Sequence, residues 1–340
     1  MPLTAFQASV LALLAPQRSD ASYLAGGAAL HIGPAGERFS DDLDFFHNAA
    51  DAANQSFAAD ASALRARGYE VNTIAEHRGF VSAVVRRDGE STILDWAHES
   101  AWRFLPLVPT PGGGVMLHPI DLAINKLVAL ANRREPRDVV DAIFADAQIL
   151  PFPALVWAVV EKNPGLNPSS YLEQFRRRTL TPEDAAYLRF TGAYSVEDAA
   201  QHFRRMVSAA DTFIAANTRR EPGALLQDRR TGSFFLPQSE DDWAHTREHR
   251  RRTGWSHRPI WASGMRVRSW PMIARTSCSR TASRREWSNS QWSGSSTFIL
   301  TLHPHISGHR SRIIALELLI AHIKTRSTGT LSRSNVRTRV

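Results

Sequence analysis

Apolar residues recur along this chain with two different periods, which outline its first elements. T-A-F-Q-A-S-V-L-A-L-L-A-P, near the start, has the spacing of an amphipathic helix that Pro16 ends. Residues 43–47 alternate instead, with Leu43 and Phe45 on one face and acidic positions on the other, which predicts a strand. Between the two, Gly26-Gly27 follows a short strand and opens a brief helix.

Three segments rich in β-branched residues predict the rest of a sheet. A helix over residues 54–67 closes at Gly68, and Y-E-V-N-T-I, G-F-V-S-A-V-V-R-R and S-T-I-L-D-W follow it. Asp88-Gly89 separates the last two, and this dipeptide between such runs is a strong hairpin signal. Residues 81–86 and 92–96 are therefore expected to pair antiparallel, with Asp95 near the end of a central strand.

From residue 119 onward the pattern is mainly helical. Pro119 opens a long helix whose apolar residues recur at helical spacing, Pro136 begins another, and residues 151–219 have the pattern of capped helices. We therefore expect an α+β protein: a core with a small mixed sheet over residues 1–150, a helical lobe over 151–228 and a linker over 229–250.

Charge divides the 340-residue chain near residue 250. The net charge is +8, but residues 251–340 hold fifteen Arg and one Lys against two acids, a net +14, so the first 250 residues carry −6. The same segment has 16 Ser, five of the nine Trp and little periodicity. We expect a poorly ordered basic tail or an out-of-frame extension, since 38 Arg against three Lys indicate GC-rich DNA.

Composition predicts a soluble, cytoplasmic protein with no membrane partner. The one cysteine, Cys278, has no partner for an internal disulfide, and the first thirty residues lack the features of a secretory signal. No apolar run reaches the roughly 20 residues of a membrane span.

A pair of carboxylates is the first candidate for chemistry. Asp42 and Asp44 are one residue apart on a predicted strand, so both project from the same face and repel unless a proton or a divalent cation lies between them. Oxygen ligands suit Mg²⁺, and Asp95 on a neighbouring strand would complete a site of the kind that serves phosphoryl or nucleotidyl transfer. Gly26-Gly27 at a helix start would let phosphate approach the backbone closely.

Each of these parts has an ordinary explanation as well. A Gly-Gly pair is most often only a turn, and D-x-D on a surface strand is most often a solvated edge. Their joint order along the chain, from Gly-Gly through D-x-D to a hairpin with a lone Asp, is more specific than either part. Asp41 extends the cluster, and strand alternation predicts that it points away from Asp42 and Asp44.

Three motifs together resemble a known family. Y-L-A-G-G-A-A-L, R-F-S-D-D-L-D-F-F and K-L-V-A-L-A-N-R-R-E-P-R-D-V-V-D, all within residues 20–150, resemble the AbiEii/AbiGii-type nucleotidyltransferase toxins of the polymerase-β-like superfamily. The resemblance implies Mg²⁺-dependent transfer of a nucleoside monophosphate from an NTP to an acceptor hydroxyl. It also implies the tRNA 3′ end as acceptor and a DNA-binding antitoxin as partner.

Other functions stay open at this point. The acceptor can instead be a small molecule or a protein side chain, or the chain can be a non-catalytic module that binds nucleotides or nucleic acid through its basic tail. Arg133, Arg134 and Arg137, with R-R-R at 176–178, are the nearest candidates for a tRNA groove in the acidic body.

The resemblance assigns expected roles to individual residues. Asp42 and Asp44 hold metal, to which hairpin geometry adds Asp95. The residues expected to bind the NTP are Gly26, Gly27, Arg38, Ser40, Lys126 and Arg137. Asp138 and Asp141 lie three apart on one helix, where they would orient the lysine, bind metal or help to deprotonate the acceptor; an ordinary solvated ion-pair face is the alternative. Asp95 and Asp138 are thus the two candidates for deprotonation.

Overall fold

The computed structural model describes residues 2–163 and 165–250, which belong to one compact unit. The tail predicted for residues 251–340 lies outside the described residues. Ten α-helices are described: α1 (Ala5–Leu14), α2 (Gly26–His31), α3 (Ala50–Arg65), α4 (Pro119–Asn132), α5 (Pro136–Gln148), α6 (Phe152–Val159), α7 (Pro168–Arg176), α8 (Pro182–Ala185), α9 (Val196–Ala216) and α10 (Glu240–Ala244). The nine described strands are β1 (Ser22–Ala25), β2 (Asp42–His47), β3 (Glu70–His77), β4 (Phe80–Arg87), β5 (Glu90–His98), β6 (Val108–Pro109), β7 (Val115–Met116), β8 (Leu225–Asp228) and β9 (Thr246–His249).

Seven of these strands form one mixed sheet in the order β3-β4-β5-β2-β1-β7-β6. The pairs β2–β5 and β1–β7 are parallel, and the other neighbours are antiparallel. The α+β class and the small mixed sheet are therefore as the sequence predicts. The predicted hairpin is β4–β5, closed by Asp88 at φ 53° and Gly89 at φ 83°, two positive values that a two-residue primed turn requires.

Strand β2 has the predicted alternation. Leu43 and Phe45 have no exposed surface and pack with Leu94 and Trp96 of β5 in the apolar cluster of the sheet. Asp42 and Asp44 occupy the opposite face and are half-buried. A one-residue slip of β2 would bury both carboxylates in the apolar cluster, so burial on one face fixes the register of the strand.

A second apolar cluster lies in the helical part of the molecule. It joins α4 and α5 to α6, α7 and α9, so it begins before the core boundary expected at residue 150. The predicted helix caps are present: the Asp184 N–H donates to the Thr181 hydroxyl and the Asp198 N–H to the Ser195 hydroxyl, each at 3.2 Å.

Residues 229–250, expected to be a linker, instead contain α10 and β9. Strand β9 pairs with β8 in a two-stranded antiparallel sheet, and Trp243 stacks on Phe213 and contacts Trp157 edge-on. Short elements of four or five residues leave too little periodicity for a sequence pattern, which is why this segment resembled a linker.

No single helix among the described residues is long and apolar enough to cross a membrane. The helices Pro136–Gln148 and Phe152–Lys162 have the length and composition of a membrane span only when they are taken together, and the angle between them is 113°.

Candidate metal centre

Three carboxylates meet where β2 and β5 run side by side. In the parallel register of these strands Asp44 lies directly opposite Asp95, and Asp42 precedes Asp44 on the same face. One ligand oxygen from each of the three lies within 4.8 Å of the others. Asp95 is buried, whereas Asp42 and Asp44 keep some exposed surface, so the cluster, called the triad below, is open on one side.

The triad carries more negative charge than its surroundings neutralise. Burial, together with the charges of Asp42 and Asp95, raises the pKa of Asp44 from 3.8 to about 7. Burial also opposes ionisation of Asp42, but Arg137, the Ser40 hydroxyl and further cations outweigh it and lower its pKa. A divalent cation would relieve the repulsion at Asp44, and three carboxylates form the hard oxygen set that suits Mg²⁺. The residues present therefore fit the metal.

Gly26 is required by the position of Asp44. Its φ is +70°, a value that only glycine adopts without strain, and a Cβ at this position would lie 1.7 Å from Asp44 Oδ2. At Gly27 a Cβ would lie 2.7 Å from an Arg38 nitrogen and 2.9 Å from the Ser40 hydroxyl. The missing side chains thus make room for the residues of the site itself. Phosphate binding by the Gly-Gly pair stays a prediction.

The start of β2 is held by polar groups from α1 and β5. Ser40 donates from its hydroxyl to Asp42 Oδ1 at 2.7 Å. Behind it, buried Gln7 donates from Nε2 to the Ser40 carbonyl at 2.9 Å and to the Thr92 hydroxyl at 3.2 Å. Thr92 in turn donates to the carbonyl of Asp41 at 3.2 Å. Asp42 is therefore fixed in position from both its side chain and its backbone.

Asp141 of α5 has no exposed surface and lies among cations. Its Oδ1 accepts from Arg38 Nε at 2.6 Å, and its Oδ2 accepts from Arg38 Nη2 at 2.8 Å and lies 2.7 Å from Lys126 Nζ. His31 Nε2 completes the set at 2.9 Å from Oδ1. Burial alone would raise the pKa of Asp141, but the charges of Arg38 and Lys126 and these hydrogen bonds hold it well below its ordinary value.

Asp138 has an environment of the same kind. Its side chain is fully buried, and both of its oxygens accept from Arg133, at 2.6 Å and 2.9 Å. Lys126 Nζ lies 3.8 Å from Asp138 Oδ1, between the two buried carboxylates. A solvated ion-pair face is therefore not what α5 presents here, and the two oxygens of Asp138 are directed at protein cations.

The cations around the triad are not equally free. Arg38 is 3% exposed and gives its fork to Asp141, so the structure places it in the buried network. Arg137, by contrast, keeps a third of its side chain exposed and lies 3.7 Å from Asp42 Oδ2, beyond hydrogen-bond distance. Arg137 is thus the arginine beside the triad that is best placed to contact an anion.

Asp41 points away from the triad, as the alternation predicts. Its carboxylate is 76% exposed and pairs with Arg189 at 2.7 Å. The segment around Arg189 also bonds to residues 37–39 through the backbone. The Phe39 N–H donates to the Arg189 carbonyl at 2.8 Å, and the Thr191 N–H donates to the Glu37 carbonyl at 2.9 Å. The segment before β2 is therefore held by residues beyond α8.

Two residues of this site were not predicted. Gln7 looked like part of an ordinary amphipathic helix, and His31 like the end of a short one. The partners that join them to the site lie 33 to 110 residues away in sequence. No local spacing in a single sequence marks such contacts.

Comparison with known proteins adds similar folds at low scores. No family model matches the chain, and no curated protein matches it. Among solved structures, JHP933 of Helicobacter pylori matches 62% of this chain and 91% of its own length, with 19% identity and a TM-score of 0.38. MenT4, a nucleotidyltransferase toxin of Mycobacterium tuberculosis H37Rv, matches 63% of this chain and 84% of its own length, with 16% identity and a TM-score of 0.42. TM-scores below 0.5 carry no activity over to this chain.

Proposed function

We propose that this protein is a Mg²⁺-dependent nucleotidyltransferase that moves a nucleoside monophosphate from an NTP to an acceptor hydroxyl, with pyrophosphate leaving. The observation that carries the proposal is the triad, whose three ligand oxygens lie within 4.8 Å of one another beside Arg137, which keeps a third of its side chain exposed. Mg²⁺ held by Asp42, Asp44 and Asp95 would neutralise charge that develops on the phosphates during transfer.

The other residues divide the work by how free they are. Arg137 is exposed enough to take phosphate oxygens with its fork, and Lys126 contributes a nearby positive charge. The new bond joins the acceptor oxygen to the α-phosphorus, and the bond from that phosphorus to pyrophosphate breaks. Of the two candidates for taking the hydroxyl proton, Asp138 has both oxygens bonded to Arg133, which favours Asp95.

A cluster of arginines supports a nucleic-acid acceptor. Arg178 donates to the carbonyls of Leu130 and Ala131 at the end of α4. Burial lowers its pKa, as do the neighbouring charges of Arg134 and Arg177. In this group Arg134 lies between α4 and α5, three residues before Arg137, the arginine beside the triad. Phosphates of an RNA strand would neutralise such a group, and the tRNA 3′ end is the acceptor we propose.

Purified protein with each labelled NTP, Mg²⁺ and total tRNA tests this function. The wild type is expected to label tRNA, Asp44→Ala to lose the label, and Asp41→Ala to keep it, because Asp41 is adjacent in sequence but faces away. Absence of label on tRNA from the wild type would rule out the proposed acceptor. Label that survives Asp44→Ala would rule out the proposed site.

A toxin role is the biological part of the proposal, with a DNA-binding antitoxin as partner. Expression of the wild type is expected to arrest bacterial growth, and expression of Asp44→Ala is not. Removal of residues 251–340 separates the enzyme from the alternative of a binding module that acts through its basic tail. Transfer should persist without the tail if the triad does the chemistry, whereas nucleic-acid binding should disappear if the tail does the work.

A further inference from the structure

We propose that His31 is a positioning residue: through its hydrogen bond to Asp141 it fixes the carboxylate that holds Lys126 beside the triad. The inference rests on the proposed function, since it concerns the residues that surround the same site. Nothing in the motifs of the sequence marks His31, which is the last residue of α2.

The surroundings of His31 impose one tautomer on its ring. The backbone N–H of Glu37 points at His31 Nδ1 at 3.3 Å, so this nitrogen accepts. The proton of a neutral imidazole then lies on Nε2, which donates to Asp141 Oδ1 at 2.9 Å. Burial lowers the pKa of His31, and the charges of Arg38 and Lys126 add to this against the opposing effect of Asp141. The ring is therefore a neutral donor whose single N–H is directed at Asp141.

The packing around His31 hinders rotation of its ring. His31 is 1% exposed, and the ring of Phe144 on α5 packs against it with the centroids 4.3 Å apart. The backbone N–H of Glu37 contacts Nδ1, the ring nitrogen that does not face Asp141. An N–H fixed in this way sets the rotation of the carboxylate that it contacts, in the manner of outer partners that orient metal ligands.

Asp141 in turn holds the ammonium group of Lys126. Its Oδ2 lies 2.7 Å from Lys126 Nζ. The positive charge of Lys126 favours the ionised forms of Asp42 and Asp44 and so acts to lower the pKa of each, although burial and the neighbouring carboxylates still raise the pKa of Asp44 overall. The ammonium group of Lys126 therefore influences the triad. Rotation of Asp141 would move its contact with Lys126 and thereby the charge that is offered to a bound triphosphate.

The alternative is that His31 only fills space in the core. Asp141 would keep its two bonds from Arg38 and its contact with Lys126 without it. A space-filling role therefore predicts that changes in activity follow changes in stability. A positioning role predicts that they depend on the N–H at the Nε2 position.

His31→Leu and His31→Gln separate the two roles in the full-length chain. Leucine keeps volume and removes the donor, whereas the glutamine amide can place an N–H near the position of Nε2. We expect His31→Leu to lower kcat about tenfold with a smaller change in KM for the NTP, and His31→Gln to recover most of the loss. Phe213→Leu is the matched control, because it loosens a buried aromatic contact with Trp157 in a separate apolar cluster and leaves His31, Phe144 and Asp141 untouched. It should lower the melting temperature while kcat changes little.

A spectroscopic readout keeps this test independent of the proposed reaction. The chain contains three lysines, Lys126, Lys162 and Lys324, so protein labelled with ¹³C-lysine gives few Cε resonances, and Lys126→Arg identifies one of them. His31→Leu should shift the Lys126 resonance, His31→Gln should shift it less, and Phe213→Leu should leave it in place. An unmoved Lys126 resonance in folded His31→Leu, or equal loss of kcat in the leucine and glutamine variants, would overturn the proposal. A wild type without transferase activity would instead overturn the proposed function and leave the spectroscopic test valid.

Discussion

Two groups of carboxylates are affected by the charge of Lys126 and are held in opposite ways. Asp42, Asp44 and Asp95 crowd together with few cations, and the pKa of Asp44 rises to about 7. Asp138 and Asp141 are more deeply buried, yet bonded cations surround them, and the pKa of Asp141 falls well below its ordinary value. Burial by itself therefore does not decide the charge of a carboxylate here; the bonded partners do.

The contrast separates binding from folding. A carboxylate that is already saturated with cations stabilises the protein and has nothing left to offer a ligand. A carboxylate that repels its neighbours costs stability in the metal-free protein and gains from a cation. Substitutions in the two groups should therefore act on different measurements.

The largest effect on activity is expected at the triad. Asp44→Asn removes a metal ligand, and loss of several kcal/mol of transition-state stabilisation corresponds to a fall in kcat/KM of about 10³-fold or more. The same variant should be as stable as the wild type in EDTA, or more stable, because the repulsion with Asp42 and Asp95 is relieved. Initial rates and urea unfolding measure the two quantities. A marked loss of stability in Asp44→Asn would mean that the triad supports the fold and would break the contrast.

Asp141→Asn should have the reverse profile. It leaves Arg38 and Lys126 buried beside a neutral amide, and breaking a buried pair of this kind costs about 3–5 kcal/mol. Urea unfolding should show this loss with and without Mg²⁺.

Asp41→Asn is the matched control for this loss. It breaks an exposed pair with Arg189, which is worth about 0–1 kcal/mol. Equal stabilities of the Asp141 and Asp41 variants would show that Asp141 is not needed to compensate the buried charges of Arg38 and Lys126.

Gly26 and Gly68 allow the same comparison for the backbone, because one lies at the triad and the other lies away from it. Both have positive φ, +70° and +79°, so alanine costs roughly 1–2 kcal/mol at either position. A Cβ at Gly68 meets nothing within 4 Å, whereas one at Gly26 collides with Asp44. Gly68→Ala should therefore bind Mg²⁺ like the wild type. Gly26→Ala should lose more stability than Gly68→Ala and should bind Mg²⁺ more weakly, and titration calorimetry would measure both affinities. Equal affinity in the two variants would remove Gly26 from the site.

Local patterns in the sequence predicted much of this site. Alternation placed Asp42 and Asp44 together and Asp41 apart from them, and the Asp88-Gly89 turn identified the hairpin that brings Asp95 to β2. These features depend on neighbours within a few residues. A sequence pattern can record them because strand and turn geometry repeat.

The buried network lay beyond such patterns. Asp141 bonds to Arg38 and His31 across 103 and 110 residues, and no periodicity encodes which cation saturates which acid. Arg38 and Asp138 matched a motif, but only packing shows that Arg38 bonds to Asp141 and Asp138 to Arg133. Packing also shows that Arg137 keeps a third of its side chain exposed. The segment over residues 229–250 was missed for another reason, since its elements are too short to have a period.

The smallest effect we expect is a pH dependence of opposite sign in the two groups. The folded-state pKa of Asp44, about 7, lies above its ordinary 3.8, so protonation favours the folded state, and metal-free stability is lost as pH rises from about 4 through about 7. The pKa of Asp141 is depressed, so its contribution to stability is present above about pH 4 and is lost as pH falls below that value.

Melting temperatures of the wild type and Asp44→Asn in EDTA isolate the pH dependence that is due to Asp44, because the two proteins have all their other titrating groups in common. The variant should gain about 1–2 kcal/mol on the wild type between pH 5 and pH 8, after allowance for the partial exposure of Asp44. Saturating Mg²⁺ should abolish or reverse this gain, since it stabilises the folded wild type by binding the ionised carboxylates. Parallel curves in EDTA would mean that Asp44 is already neutralised by the protein, and the triad would then be a second saturated network with no need of a metal.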